Sequence, residues 1–238
     1  MTYDFNWAVL IEYKELLTDG FIMTLKLSVI GILLAFIMGT LISLMRVSKN
    51  FFISLIGVYY TEFFRNIPLI VQMFFIYFTF NLTDIFPFLE KFASFTGVES
   101  SNEFFSALLA LVTYTSTYIA EAIRGGIHSI PKGQEEAAKS LGMSYIQTHF
   151  LIIFPQAVKI AWGPITSQFI NLIKNSSLAM TIGVAELTFQ TQEIDSLTFR
   201  GFEAATAVTL IYLFLTLATS SFMGVIDRFA LIKTGGMK

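Results

Sequence analysis

Residues Ala204 to Ile226 contain no Asp, Glu, Lys or Arg, and the stretch closes on Asp227 and Arg228. A bilayer core takes about 20 apolar helical residues per crossing, so a run of this kind is a membrane span before it is anything else. Four further runs, each with one or two charges, are read as candidate spans on the same length yardstick: about 21–45, 51–82, 104–124 and 155–174. Composition agrees, with 55% hydrophobic residues, 13% charged residues and 26 Phe in 238 residues and a mean hydropathy of +0.69, far above what a soluble domain needs. The expected fold is therefore all-α, a single polytopic helical bundle over residues 1–238 with about five crossings. The net charge of -2 excludes nothing by itself, but the chain has no basic stripe for nucleic acid. It has no cysteine, hence no disulfide framework or thiolate chemistry.

Residues 1–20 lack the basic start and small-residue cleavage site of a signal peptide, and are expected to stay on the mature protein. The first run carries Gly31, Ala35, Gly39 and Ser43 at every fourth position, a small-residue stripe on one helix face that suits close helix packing. The second is too long for one straight crossing and is expected to bend near Pro68. Five crossings put the termini on opposite sides. With the N-terminus outside, the inner segments hold Arg46, Lys49, Arg124, Lys132, Lys139, Arg228, Lys233 and Lys238, and the outer ones hold Lys14, Lys91 and Arg200. The positive-inside rule then makes the C-terminus cytoplasmic.

That orientation places a polar, helix-favouring stretch, residues 131–150, in the cytoplasm. Pro131 and Gly133 break the preceding helix, Glu135 and Glu136 suit the positive end of a new one, and Ala137, Ala138, Lys139 and Leu141 propagate it. Gly142 can stop it in the left-handed conformation, and Ser144 to Gln147 reads as a capping box for a following helix that runs until Pro155 permits a bend. Ala137, Ala138 and Leu141 form a small apolar face around which a partner's cleft could close; an ordinary connecting loop of good helix formers is the other reading.

Charges inside apolar runs need compensation. Glu62 and Arg65 share one helix face, as do Glu121 and Arg124. Two ion pairs are the structural reading; Arg65 facing a pathway, where it could hold a carboxylate, is the functional one. Lys174, followed by Asn175, Ser176 and Ser177, marks either an unwound turn lining a pore or a helix end reaching the headgroups. Gln72, Gln168 and Asn171 suit interhelical hydrogen bonds. The aromatic cluster from Phe74 to Phe80 suits a lipid-facing or interfacial surface, and His128 and His149 have no metal-motif spacing.

Glu136-Ala137-Ala138, three residues, Gly142, then Ile152-x-x-Pro155 resembles the EAA loop of integral-membrane permease subunits of bacterial ATP-binding-cassette importers. TEFFRNIPLIVQ (61–72), YIAEAIRGGIHSIPKGQEEAA (118–138), FPQAVKI (154–160) and NLIKNSSLAMTIGVAEL (171–187) look like the successive signatures of the polar amino-acid branch. The resemblance implies a type I importer permease in the bacterial inner membrane, working with two ATPase subunits inside, a solute-binding protein outside, and a second copy or a homologous permease. It implies that Gly133, Glu136, Ala137, Ala138, Leu141, Gly142 and Pro155 couple the bundle to the ATPases; the candidates for the substrate pathway are the polar groups within the runs, Glu62, Arg65, Gln72, Glu121, Lys174, Ser176 and Ser177. No G-x-x-x-x-G-K-[ST] loop is present, so ATP and Mg belong to the partner and this chain needs no cofactor. Arg65-Asn66-Ile67-Pro68 resembles permeases for acidic amino acids more than the commoner Arg-Gly-Thr-Pro, which favours glutamate or aspartate over glutamine. A membrane-embedded hydrolase lacks a base at bilayer depth. An ion-driven transporter would be expected to show an internal repeat, and the chain has none.

Overall fold

The computed structural model describes residues 4–97 and 101–232. Lys233 and Lys238, counted above for the orientation, lie outside them. The described residues are helical: α1 Ala8–Glu12, α2 Lys14–Arg46, α3 Phe51–Asn66, α4 Leu69–Thr79, α5 Leu82–Ile85, α6 Phe88–Thr96, α7 Asn102–His128, α8 Lys132–Ser140, α9 Tyr145–Thr148, α10 Phe154–Ile160, α11 Trp162–Asn175, α12 Leu187–Thr198 and α13 Gly201–Ile232. A π-helical turn, His149–Ile153, joins α9 to α10, and a 3₁₀ segment, Ser176–Ile182, follows α11. Among the described residues three helices are long and apolar enough to cross a membrane, Lys14–Arg46, Asn102–His128 and Gly201–Phe229, and the bent pair Tyr145–Ile160 and Trp162–Ile182 is either a broken fourth span or a re-entrant loop. The run expected over 51–82 is two shorter helices, because Pro68 is extended and starts α4 after α3 ends at Asn66.

The bend expected at Pro155 lies elsewhere. The chain does not bend at Pro155, which lies in the first turn of α10. The π turn immediately before it widens the helix where a proline ring would otherwise strike the preceding carbonyls, and the Gln156 side chain donates to the Ile152 carbonyl at 2.7 Å. The 60° bend falls one turn later, between Ile160 and Trp162. Pro164 has no N–H for the Ile160 carbonyl, which frees the chain to turn there.

The described residues form two compact units: one within Met1–Leu34, Ile67–Val112 and Ile170–Ala218, the other within Ala35–Asn66, Thr113–Phe169 and Thr219–Lys238. In the first, Ile173, Leu187, Val208 and Leu215 make a core against Leu17, Phe21 and Leu25. Glu186 caps α12, fully buried, accepting from the Phe189 amide at 2.9 Å and the Tyr212 hydroxyl at 2.5 Å. With Thr188 as a further donor, these bonds meet the requirement that a buried carboxylate be hydrogen-bonded. Gly31 lets Leu172 approach to 3.3 Å of where a Cβ would stand. In the second unit the same stripe continues: Ala35 and Ser43 are fully buried, and a Cβ at Gly39 would lie 2.8 Å from Ile119 Cβ and the Ser116 carbonyl oxygen. The Tyr60 hydroxyl bridges α3 to α7 through Ser116 at 2.8 Å and the Thr113 carbonyl at 3.2 Å.

On α4, Phe75 and Phe78 are exposed, consistent with a lipid-facing surface, whereas the Tyr77 hydroxyl donates to Glu103 at 3.1 Å.

Candidate functional site

The second unit gathers the charges that the sequence paired separately. Arg65 donates to both Glu62 oxygens, at 2.8 and 3.1 Å, and to Glu121 at 3.4 Å. Arg124 holds the other Glu121 oxygen through Nε and Nη2 at 3.0 and 2.8 Å. Arg46, at the end of α2, completes the cluster on Glu121. Three guanidinium groups and two carboxylates from α2, α3 and α7 thus form one network with a surplus positive charge. Its role for Arg46 was missed in the sequence, where that residue reads as a loop charge setting orientation. Only the return of α2 beside α7 makes it Glu121's partner, and its side chain is 9% exposed against 34–36% for Arg65 and Arg124.

The loop after α7 folds as its residues dictate. No side chain caps α8, whose N-cap residue is Pro131. Lys139 pairs with Glu135 at 2.7 Å one turn earlier, and this hydrogen bond holds the Glu135 carboxyl below the usual glutamate range. At the other end Gly142, at φ +80°, donates to the Lys139 carbonyl at 2.9 Å while Met143 donates to that of Ala138 at 3.1 Å. Those two bonds are the Schellman motif, and the left-handed residue it requires favours glycine. Ser144 then accepts from the Gln147 amide while its own amide donates to the Gln147 side chain, so the capping box is present.

α8 is anchored on one side and open on the other. Gln156 of α10 donates to Gln134 at 2.6 Å. Gly133, Glu136, Ala137 and Gly142 are exposed, and Leu141 is 83% exposed. Ala138 departs from the expected outward face: it is 4% exposed and packs α8 inward. The sequence put Ala137 and Ala138 on one surface, but adjacent helical residues point about 100° apart, so one faces out and the other in. Pro155 is exposed beyond the π turn. Where α7 passes α10, a Cβ at Gly126 would run into the Ala157 carbonyl oxygen and lie 3.0 Å from its carbonyl carbon.

In the first unit, Gln72 is buried and ties α4 to the preceding break by donating to the Ile67 carbonyl at 2.8 Å. Ser176 is fully buried and donates to the Ile173 carbonyl at 2.7 Å. Lys174 and Ser177 line an open cavity of about 300 Å³ with Thr188, Thr191 and Tyr212. The unwound turn considered for residues 175–177 is instead a tightening into 3₁₀ helix. Among the described residues no group of three or more His, Asp or Glu could hold a metal ion.

The described helices thus combine spans of membrane length with an exposed helix, α8, set between α7 and α10. Residues 28–231 match the family described as the binding-protein-dependent transport system inner membrane component, and the chain belongs to that family. It is 30% identical, over 96% of both chains, to the glutamate/aspartate import permease protein GltJ of Escherichia coli K12. It is 38% identical to the probable glutamine ABC transporter permease protein GlnM of Bacillus subtilis, over 90% of this chain and 93% of that one. A crystal structure of an amino acid ABC transporter with histidines matches at TM-score 0.78 and 34% identity, covering 96% and 99% of the two chains. The inward-facing MetNI methionine transporter, at 19% identity and TM-score 0.72, shares the fold. The protein is a multi-pass permease subunit of an amino-acid ABC importer, a transport component with a type I importer permease fold.

Proposed function

We propose that the chain forms the translocation pathway for a polar amino acid and is driven through the 131–150 loop by separate ATPase subunits, which bind and hydrolyse the ATP. The observation that carries this reading is the asymmetry of α8, with Glu136, Ala137 and Leu141 open on one face and Ala138 and Gln134 locked to the bundle on the other. A helix held that way transmits a push from a docked partner into α7 and α10. Coupling requires only that ATP and the loaded binding protein favour the same conformational state. The basic-residue count supports an outside N-terminus and a cytoplasmic loop. A second permease copy or a homologous one completes the pathway, and an extracytoplasmic solute-binding protein delivers the substrate.

Arg65 and its neighbours, together with Gln72, Lys174 and Ser177, are the polar groups proposed to line the pathway at some stage of the cycle; Ser176, buried in this conformation, shapes the 3₁₀ turn beside them. Glutamate or aspartate is favoured by the Arg65-Asn66-Ile67-Pro68 sequence, by the surplus positive charge around Glu121 and by the likeness to GltJ; the likeness to GlnM keeps glutamine as the second reading.

Uptake by the reconstituted complex tests both levels. Glu136→Lys and Gly142→Asp should leave the chain inserted at normal abundance and reduce ATP-dependent uptake to background; normal uptake with either would sink the coupling assignment. Unlabelled glutamate and aspartate should outcompete glutamine for uptake, and the opposite ranking would reverse the substrate order.

A further inference from the structure

The second unit also holds a cavity of about 540 Å³ beside the start of α8. Its wall carries Arg46, Lys49, Arg124 and Lys132, with His128 and His149, against the single carboxylate of Glu135. Even with Glu121 counted as a partner of Arg46 and Arg124, four permanent cations face two carboxylates, and Glu135 is itself paired with Lys139. Such a surplus is ordinary on a flat solvated surface; here it lines a concave site. One further observation points to an anion. Pro131 and Lys132, the uncapped N-terminus of the nine-residue α8, border the cavity, and a helix start without a side-chain cap presents amide donors. Arg46, nine-tenths buried, reaches the same wall while paired with Glu121. Behind the basic groups the wall is apolar, with Val58, Ile127 and Ile153.

We infer that this cavity binds a phosphate group, which would meet the Lys49, Lys132 and Arg46 cations and the first amides of α8. The ligand chemistry is a tetrahedral oxyanion of one to two charges, supplied either by an anionic phospholipid whose tail follows the apolar wall or by soluble phosphate. Basic pockets at the cytoplasmic ends of membrane helices suit lipid headgroups in this way. The inference concerns binding rather than coupling, and its lipid arm rests on the cytoplasmic placement of this loop proposed above.

The test uses the full-length chain in the complex it forms in the membrane. One arm measures retention of phosphatidylglycerol against phosphatidylcholine by native mass spectrometry after release from nanodiscs holding both. The other measures binding of radiolabelled inorganic phosphate by equilibrium dialysis. At least one probe should bind, and Lys49→Gln/Lys132→Gln should weaken it about thirtyfold, with Lys49→Arg/Lys132→Arg restoring it. In the unmodified chain the bound probe should also shield the Lys49 and Lys132 amines from acylation, a readout that needs no variant to fold. Preferential retention of phosphatidylglycerol assigns the lipid source, and phosphate binding without it assigns the soluble one. Failure of both probes, binding unaffected by the glutamine pair, or binding without amine protection would overturn the inference.

Discussion

Replacing Glu121 by Gln tests whether the charge network is a structural keystone of the second unit. The substitution keeps size and one acceptor oxygen but removes the negative charge from among Arg46, Arg65 and Arg124. Removing one partner of a buried ion pair costs about 3–5 kcal/mol, whereas exposed pairs contribute about 0.2–1 kcal/mol. Arg46 is 9% exposed and Glu121 21%, so that arm lies near the buried limit; Arg65 and Arg124, at 34% and 36%, are screened by solvent and add little. The expected loss is about 2–3 kcal/mol, most of it from leaving Arg46 charged and uncompensated. Arg124→Gln alone should cost under about 1 kcal/mol. Adding Arg46→Gln to Glu121→Gln should recover most of the loss, since the orphaned charge is gone. SDS-driven unfolding in mixed micelles can follow this through Trp162, whose indole N–H donates to the Met223 carbonyl at 3.1 Å within the same unit. If Arg124→Gln were as damaging as Glu121→Gln, or if the Arg46 and Glu121 effects simply added, the burial argument would be wrong.

Gly125 and Gly126 are neighbours in sequence with opposite surroundings: a Cβ at Gly125 meets nothing within 4 Å, while one at Gly126 meets the Ala157 backbone. Gly125→Ala should stabilise α7 by up to about 1 kcal/mol through helix propensity, and Gly126→Ala should destabilise by about 1–3 kcal/mol because backbone must move; the same micelle titration reads both. The Glu135–Lys139 pair predicts an acid response of α8. Glu135's folded value lies below the ordinary 4.5, so its contribution is fully present above pH 4.5 and is lost as pH falls through the folded value. Amide protection factors along α8, referred to the intrinsic exchange rate at each pH, should fall over that acid range, and Lys139→Gln should remove most of the dependence.

Much of this protein is legible in one dimension because its rules are local. A bilayer demands about 20 apolar residues per crossing, so hydropathy alone marks α2, α7 and α13. Capping is equally local: Gly142 and the Ser144–Gln147 box act on backbone groups within a few residues, and both ends of that turn are as the letters suggest. The breaks are less legible. Pro155 and Pro164 are both helix-interrupting residues, yet a π turn absorbs the first and the chain bends at the second, a choice set by how the neighbouring turns pack.

The apolar lengths, the turn chemistry and the EAA-type spacing are thus set by the sequence, each depending on residues no more than about twenty positions apart or on a simple count. Tertiary structure alone decided that Arg46 meets Glu121 across 75 positions, that Ala138 faces inward while Ala137 does not, and that six basic side chains line one cavity. Those outcomes depend on which helix faces meet, and a contact between distant segments leaves no periodic trace in either segment alone.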